Sequence, residues 1–393
     1  MNIRIELLNH YPWLPSLKDH YADLAAEDFI KELFNKYPNE EIQARVLSLF
    51  EAAFQNIEQV SNYKKDELNV YLYLLLKILL YVLDNKSVTN RIANLYSKIN
   101  YSELIQESDA NLYDICQDLE LKVYYYELPI TYGANITKNQ REILQTNFRI
   151  HFIDYLKLAA NLKDDYRKLI NNPLSEGFIF IQKRSLIRLI QEHVRKKVLP
   201  IENEDKATLT AFKEKYLDTE EFKEIYDKIL EEWKEKKEDF ENIEFKFEFT
   251  EGSDLSNSFP PCLKEILLKA KEGENLNHTE RLFLVFLLHA LNYPVEKIVN
   301  IFSVLPDFNR EKTLYQVNFA LEKKYSPHKC DTLKSLNFCM AEKYKDELCL
   351  KGYYSRKTEE QRKISHPLFY IQMREYRGSK SKNIPKLQAE NEK

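Results

Sequence analysis

Five cysteines occur in a chain of 393 residues, and four of them crowd into one 88-residue window. Cys262 is followed after 67 residues by Cys330, after eight more by Cys339 and after nine more by Cys349. Thiolates are soft ligands, suited to zinc and to iron–sulfur centres. A structural zinc ion in a small domain draws on C-x2–4-C knuckles, where a tight turn brings two sulfurs together. No such pair is present. Widely spaced single cysteines suit a larger object, such as a four-iron cubane that takes one thiolate at each corner. Ordinary buried thiols obey no spacing rule, so the spacing leaves both readings open. Cys116 stands apart in "YDICQDLE" and reads as a buried, apolar-like residue.

A second group with chemical capacity is Asn277-His278-Thr279-Glu280-Arg281. Asn277 with Glu280 three residues later is a capping-box signature, so a helix starts here and runs to about Leu291. The mouth of a helix offers free N–H groups and a partial positive charge, which suits an anion. His278 and Arg281 share a face at that mouth, with His289 further along the same stripe. Arginine can grip a phosphate bidentately and a protonated histidine adds a donor. The plainer reading pairs Arg281 with Glu280 or Glu274 and leaves His278 as a neighbour of the cap. Asp118 and Glu120 alternate as strand-borne carboxylates would, but a two-metal centre needs a partner acid, and one lone D-x-E is rejected as a catalytic set. His328 and His366 offer themselves as metal ligands, but if the four cysteines hold a cubane its ligand set is complete and both are expected to be structural.

These residues sit in a helical chain. Six glycines, with abundant Leu, Ile, Lys and Glu, favour helix over most of the length. The glycine shortage and the absence of G-x-x-x-x-G-K-[ST] and G-x-G-x-x-G exclude a P-loop or a dinucleotide fold. Residues 21–85 read as successive amphipathic helices. "LKVYYYELPI" (121–130) and "GFIFIQ" (177–182) read as strands. The second feeds a helix whose Ile187, Ile190 and Val194 form an apolar stripe while Arg184, Arg188 and Arg195 line another face. Residues 201–253 read as helical but polar nearly all round, a charged connection. Gly, Ser, Asn and Pro cluster at "TEGSDLSNSFPP", which marks a boundary, and the final 16 residues read as a disordered tail. Residues 1–253 hold 34 Lys and Arg against 44 Asp and Glu, whereas 254–393 hold 24 against 18. The second part is the one suited to meet phosphate. Sparse cysteine, no apolar leader and a longest apolar run of 16 residues (68–83) broken by Lys77 lead us to expect an intracellular protein without a membrane span.

The blocks around the cysteines narrow the choice. "FPPC" at Phe259–Cys262 comes first, then "NLNHTERLFLVFLLHALNY" at Asn275–Tyr293, "PDFN" with "TLYQV" at Pro306–Val317, "YSPHKC" at Tyr325–Cys330 and "HPLFY" at His366–Tyr370. In this order they resemble the C-terminal domain of the archaeal and eukaryotic-type DNA primase large subunit. "YPWLPSLKDHY" at Tyr11–Tyr21, "FRIHFIDYLKLAANL" and "GFIFIQKRSLIRLIQEHVRKKV" resemble its N-terminal part. The resemblance implies that Cys262, Cys330, Cys339 and Cys349 hold a [4Fe–4S] cluster. It implies that His278 and Arg281 contact the 5′-triphosphate of the initiating nucleotide or primer, and His289 and Tyr315 join that nucleotide-binding set. Tyr315 suits stacking on a base or a hydrogen bond to phosphate, or a place in the core. Lys312, Lys323 and Lys324, and Arg356 and Lys357 beside Tyr353 and Tyr354, make basic and aromatic patches suited to a template strand. The chain departs from the eukaryotic pattern at Asn277, where the family has an arginine before the histidine. It departs again at Asn318 and Phe319, where basic residues are common, and near Phe302, where the family has a tryptophan.

The expected fold is mainly α: a helical N-terminal domain with a small α/β portion, and a helical C-terminal domain organised around a four-cysteine [4Fe–4S] cluster. The expected boundaries are 1–200 for the domain that docks the catalytic small subunit, 201–253 for the charged helical linker, 254–377 for the iron–sulfur domain and 378–393 for the tail. The resemblance implies the regulatory large subunit of a heterodimeric primase, a non-catalytic part of a nucleotidyltransferase in DNA replication. Its partners would be the small subunit, a single-stranded template and a primer 5′ end, with the metal-binding carboxylates in the small subunit. The rivals are a stand-alone Fe–S nuclease or glycosylase, and a helical scaffold with a zinc site.

Overall fold

The computed structural model describes residues 4–20, 26–61, 63–136, 141–160, 162, 167–200, 206–241, 258–323, 326–355 and 359–382. The chain is mainly helical with a small antiparallel sheet, and it divides into two compact units, Met1–Asp239 and Phe240–Lys393.

The first unit opens with α1 (Ile5–His10), α2 (Leu17–His20), α3 (Ala26–Lys36), α4 (Asn39–Phe54), α5 (Glu67–Leu83), α6 (Lys86–Gln106) and α7 (Asp109–Asp118). Short polar side chains start the last three. Asp66 accepts from the N–H of Asn69, Asn85 from Val88 and Ser108 from Asn111, so each satisfies a donor the helix leaves orphaned. The apolar run becomes α5, whose Leu75, Leu79 and Val82 are fully buried. No described helix is long and apolar enough to cross a membrane. The opening "YPWLP" is tied to α6 by polar anchors: Trp13 Nε1 donates to Asn100 Oδ1 at 2.7 Å, and Tyr11 OH to Glu107 Oε1 at 2.8 Å.

The sheet follows, with β1 (Val123–Ile136), β2 (Arg141–His151), β3 (Leu174–Ser175) and β4 (Phe178–Ile181) in the order β1-β2-β4-β3, every neighbour antiparallel. Helix α8 (Phe152–Ala159) interrupts it and α9 (Lys183–Val198) leaves it. Both expected strands form. The first extends to Ile136 and pairs with β2, which the sequence reading did not single out. Val123, Phe148, Ile150, Ile179 and Ile181 point to the core, while Tyr124, Arg149, Phe178 and Phe180 occupy the other face. Polar residues alternating in "NFRIH" disguise that strand. The expected apolar stripe of α9 is fully buried, joined by Leu186 and Leu189, and packs on α6. Asp118 and Glu120 are not strand-borne. Asp118 ends α7 and accepts from Ser16, and Glu120 lies in a left-handed turn at φ 55°.

The charged segment also differs from expectation. It contains α10 (Lys206–Leu217) and α11 (Glu220–Glu241), and α11 is not polar all round. Phe222, Ile225 and Ile229 are fully buried, with Tyr226 and Trp233 nearly so. These positions fall on one helical stripe, and Trp233 lies 5.1 Å from Phe54 of α4. Burial of each such side chain stabilises by roughly 1.5–3 kcal/mol, so α11 is part of the first unit. The abundant glutamate and lysine occupy its outer face and hide the stripe in a composition count. The expected boundary region at 250–257 lies outside the described residues.

The second unit contains α12 (Pro261–Lys271), α13 (His278–Ala290), α14 (Val295–Phe302), α15 (Arg310–Glu322), α16 (Cys330–Ser335), α17 (Glu347–Lys351), the hairpin β5 (Tyr353–Ser355) and β6 (Glu360–Arg362), and α18 (Pro367–Lys382). Its core gathers Leu263, Phe283, Leu284, Leu287, Leu288, Ile298, Val299 and Leu305, all fully buried. Phe302 belongs to that core. The expected tail began at 378, but α18 reaches Lys382; residues 383–393 lie outside the described residues.

Candidate metal centre and nucleotide site

Four separate segments bring one cysteine each to the wall of a single cavity of about 330 Å³, its open mouth included. Cys262 is the second residue of α12. Pro260 caps that helix and Pro261 takes its first position, where the missing N–H costs nothing and the fixed φ is already helical. Phe259 and Leu263 on either side are buried anchors. Cys330 opens α16, and its N–H donates to Ser365 O at 3.0 Å. Cys339 follows the buried Phe338 in the loop between α16 and α17 and is exposed. Cys349 lies in α17, and its N–H donates to the capping Asp346 Oδ1 at 2.9 Å. The remaining wall includes Leu333, Ile364, Pro367 and Tyr370.

The sulfurs influence one another. Burial, then the charges of Cys330 and Cys339, push the Cys262 thiol up to about 12. Burial and Cys339 push Cys330 up to about 11. Burial, Asp346, Cys262 and Cys330 push Cys349 up as well. An apolar cavity with several thiolates is electrostatically costly until a cation offsets it, and a coordinated thiol loses its proton outright. None of the five cysteines is in a disulfide. Among the described residues no group of three or more His, Cys, Asp or Glu could hold a single metal ion. Four thiols around a cavity are the donor set a cubane takes, one per iron, so these residues fit that group.

Two carboxylates, the buried Glu265 and the half-buried Asp346, secure the cavity wall. Glu265 on α12 accepts from Lys343 Nζ at 2.7 and 2.8 Å and from Tyr344 OH at 2.9 Å, which pins the loop after Cys339 to the Cys262 helix. Burial raises its pKa, yet the Lys343 and Tyr344 donors outweigh burial and hold it below its ordinary value. Asp346 accepts from Cys349 N, Tyr370 OH and Arg374, joining α17 to α18. His366 Nδ1 accepts from Leu368 N at 3.1 Å, so its Nε2 carries the proton and donates to Pro327 O at 3.1 Å. His328 lies near Phe283 and Phe286, and burial lowers its pKa.

At α13 the capping box is complete. Glu280 N donates to Asn277 Oδ1 at 3.0 Å and Asn277 N to Glu280 Oε2 at 2.9 Å. Arg281 does not pair with Glu280 or Glu274. Glu280 is buried against Lys269, and Arg281 NH2 reaches both oxygens of Asp307 at 2.7 and 2.8 Å. Leu276 O and Asn275 Oδ1 hold the same guanidinium. The fork is therefore fixed and already engaged with an anion. His278 is exposed in the first turn beside it. His289 is exposed in the last turn, about 16 Å along the axis at 1.5 Å per residue, so it is not at that mouth. Tyr315 on α15 is 70% exposed rather than in the core. Lys312 and Lys323 are exposed on the same helix and its cap. Lys324, Arg356 and Lys357 lie outside the described residues.

Residues 4–211 match the family described as eukaryotic and archaeal DNA primase, large subunit N-terminal domain, and residues 253–384 match its C-terminal domain. The chain belongs to this family. It is 28% identical over 390 residues to the DNA primase large subunit PriL of Methanosarcina acetivorans, covering 97% of this chain and 91% of that one. It is 31% identical over 298 residues to the PriL of Methanococcoides burtonii, covering 72% of each. In this primase large subunit all four cysteines, Arg281 and Tyr315 fall inside the matched C-terminal domain, and the whole sheet falls inside the N-terminal one.

Sequence reasoning missed Asp307, Glu265 and Asp346. Asp307 sat in plain view in "PDFN", but its partner is 26 residues away. Asp346 had a local signal, an Asp three residues before Cys349 at a helix start.

Proposed function

We propose that this regulatory primase large subunit holds a [4Fe–4S] cluster through Cys262, Cys330, Cys339 and Cys349. We further propose that its C-terminal unit binds the initiating nucleotide's 5′-triphosphate and the template. The observation that carries the reading is the convergence of the four cysteines on one cavity within the family's C-terminal domain. A bound cluster would cross-link α12, α16, α17 and the loop between the last two. The protein's own residues do the rest. The α13 N-terminus presents backbone donors, His278 adds another, and Arg281 presents a preset fork to phosphate oxygens in exchange for Asp307. Holding one nucleotide on the template while the small subunit brings the second removes an entropic barrier to the first bond.

The N-terminal unit would dock the catalytic small subunit, where the metal-binding carboxylates are expected. Exposed apolar side chains concentrate in its α/β portion, at Tyr124, Leu128, Ile143, Ile170 and Leu174, which supports a protein contact there.

Binding of a primer–template carrying a 5′-triphosphate tests the reading. Arg281→Ala should weaken that binding by about tenfold or more, the scale of a lost charged hydrogen bond, and leave binding of the 5′-hydroxyl duplex unchanged. Equal loss on both ligands, with normal iron content, would refute the triphosphate role.

A further inference from the structure

The N-terminus of α13 poses an electrostatic problem. It is the proposed seat of a phosphate, yet Glu280 in its first turn places a full negative charge at the same mouth, only 3% exposed. A helix N-terminus carries only about half a positive charge, so an ionised Glu280 alone would leave the mouth anionic. Asp307, paired with Arg281, is a second carboxylate close by. The residue that offsets Glu280 is Lys269, whose Nζ donates to Glu280 Oε1 at 2.9 Å. The other oxygen, Oε2, accepts from the N–H of Asn277. One oxygen thus serves the capping box and the other meets the lysine. Lys269 belongs to a different helix. It lies on α12, seven residues after Cys262 and four after Glu265, so the three share a face. Lys269 O also accepts from the N–H of Glu274 at 2.9 Å, which fixes the start of the turn that leads to α13. The lysine side chain is 26% exposed, and a partly buried pair is screened by salt much less than a surface one.

We propose that Lys269 is a positioning residue for the 5′-triphosphate. Acting through Glu280, it cancels the carboxylate's charge and holds the capping box, and so lets the mouth of α13 accept an anion. Helix α12 then serves two sites, with Cys262 at the cavity and Lys269 behind the phosphate seat. The inference rests on the reading that this mouth binds the triphosphate.

The test is binding of primer–template duplexes with a 5′-triphosphate or a 5′-hydroxyl to the full-length chain, at about pH 8, where carboxylates are ionised. Wild type should prefer the triphosphate. Lys269→Met keeps the stem and removes the charge. It should weaken triphosphate binding about tenfold, the scale of one lost charge interaction, and leave the hydroxyl duplex and the iron content unchanged. Lys269→Arg should bind like wild type. The deciding variant combines Lys269→Met with Glu280→Gln. The amide oxygen still accepts from Asn277 N but carries no charge, so the preference for triphosphate should return. A merely structural lysine gives the opposite, since losing both partners leaves binding of both duplexes as weak or weaker. Glu280→Gln alone leaves Lys269 uncompensated and should bind the triphosphate more tightly than wild type. Full wild-type preference in Lys269→Met, equal loss on both duplexes, a double variant that stays weak, or no gain in Glu280→Gln overturns the role of Lys269 alone. A wild-type chain that does not distinguish the two duplexes overturns the triphosphate reading, and this inference with it.

Discussion

His193 on α9 shows how burial sets chemistry one residue at a time. Its Nε2 is buried with no hydrogen-bond partner among the described residues. Burial first, then the charges of Lys197 and Lys196, push its pKa down from 6.5 to about 4. The folded state thus prefers neutral imidazole, and the unfolded chain takes up the proton first. Its contribution to stability is full above pH 6.5 and is lost as pH falls toward 4. The difference in unfolding free energy between wild type and His193→Gln should therefore change across pH 6.5 to 4 and stay constant from 7 to 8. A flat difference through the acid range would contradict the burial. Among single residues, the four clustered cysteines stand out in the sequence by type and spacing, whereas the one cavity they line does not. Cys116 was legible too: it is fully buried, and burial raises its thiol to about 12. The Arg281–Asp307 pair was not, because a long-range ion pair leaves no local spacing to read.

Elements were legible where caps and stripes coincide, as at α13, whose capping box stands in the sequence as Asn277 and Glu280. They failed where the burial pattern competes with composition. In α11 charged residues outnumber the five that dock, and β2 alternates core residues with polar ones. The end of α17 is a further case. Gly352 closes it at φ 78° and ψ −149°, a region that side-chain-bearing residues avoid. A Cβ there would lie 2.0 Å from Arg362 O on the facing strand β6. Gly352→Ala should destabilise the second unit by about 1–3 kcal/mol or more, read as a lower denaturation midpoint. Gly133→Ala is the control, since its Cβ would meet only Leu144 at 3.7 Å and its φ is not positive. Equal midpoints for the two variants would contradict the close approach.

At the scale of the molecule, the charge asymmetry between the two parts is legible in the sequence, whereas the buried stripe that makes α11 part of the first unit is not, because α10 and α11 read as a charged connection. Helix α11 ends at Glu241 and the described residues resume at 258, ahead of α12 at Pro261, so residues 242–257 join the two stretches. Sixteen residues reach at most about 55 Å when extended. If the C-terminal unit keeps hold of the primer 5′ end while the small subunit extends the 3′ end, that reach limits primer length. Inserting 16 Gly/Ser residues within 242–257 should shift the primer-length distribution upward in the reconstituted heterodimer. An unchanged distribution would mean that something other than the joining segment sets the limit.

The central claim is that four thiols around one cavity hold a cubane. Iron and zinc content, measured with a visible spectrum on protein purified without oxygen, tests it most directly, beside Cys339→Ser. About four irons per chain are expected, with broad visible absorption that weakens in the variant. One zinc per chain, or no metal in either protein, would contradict the account.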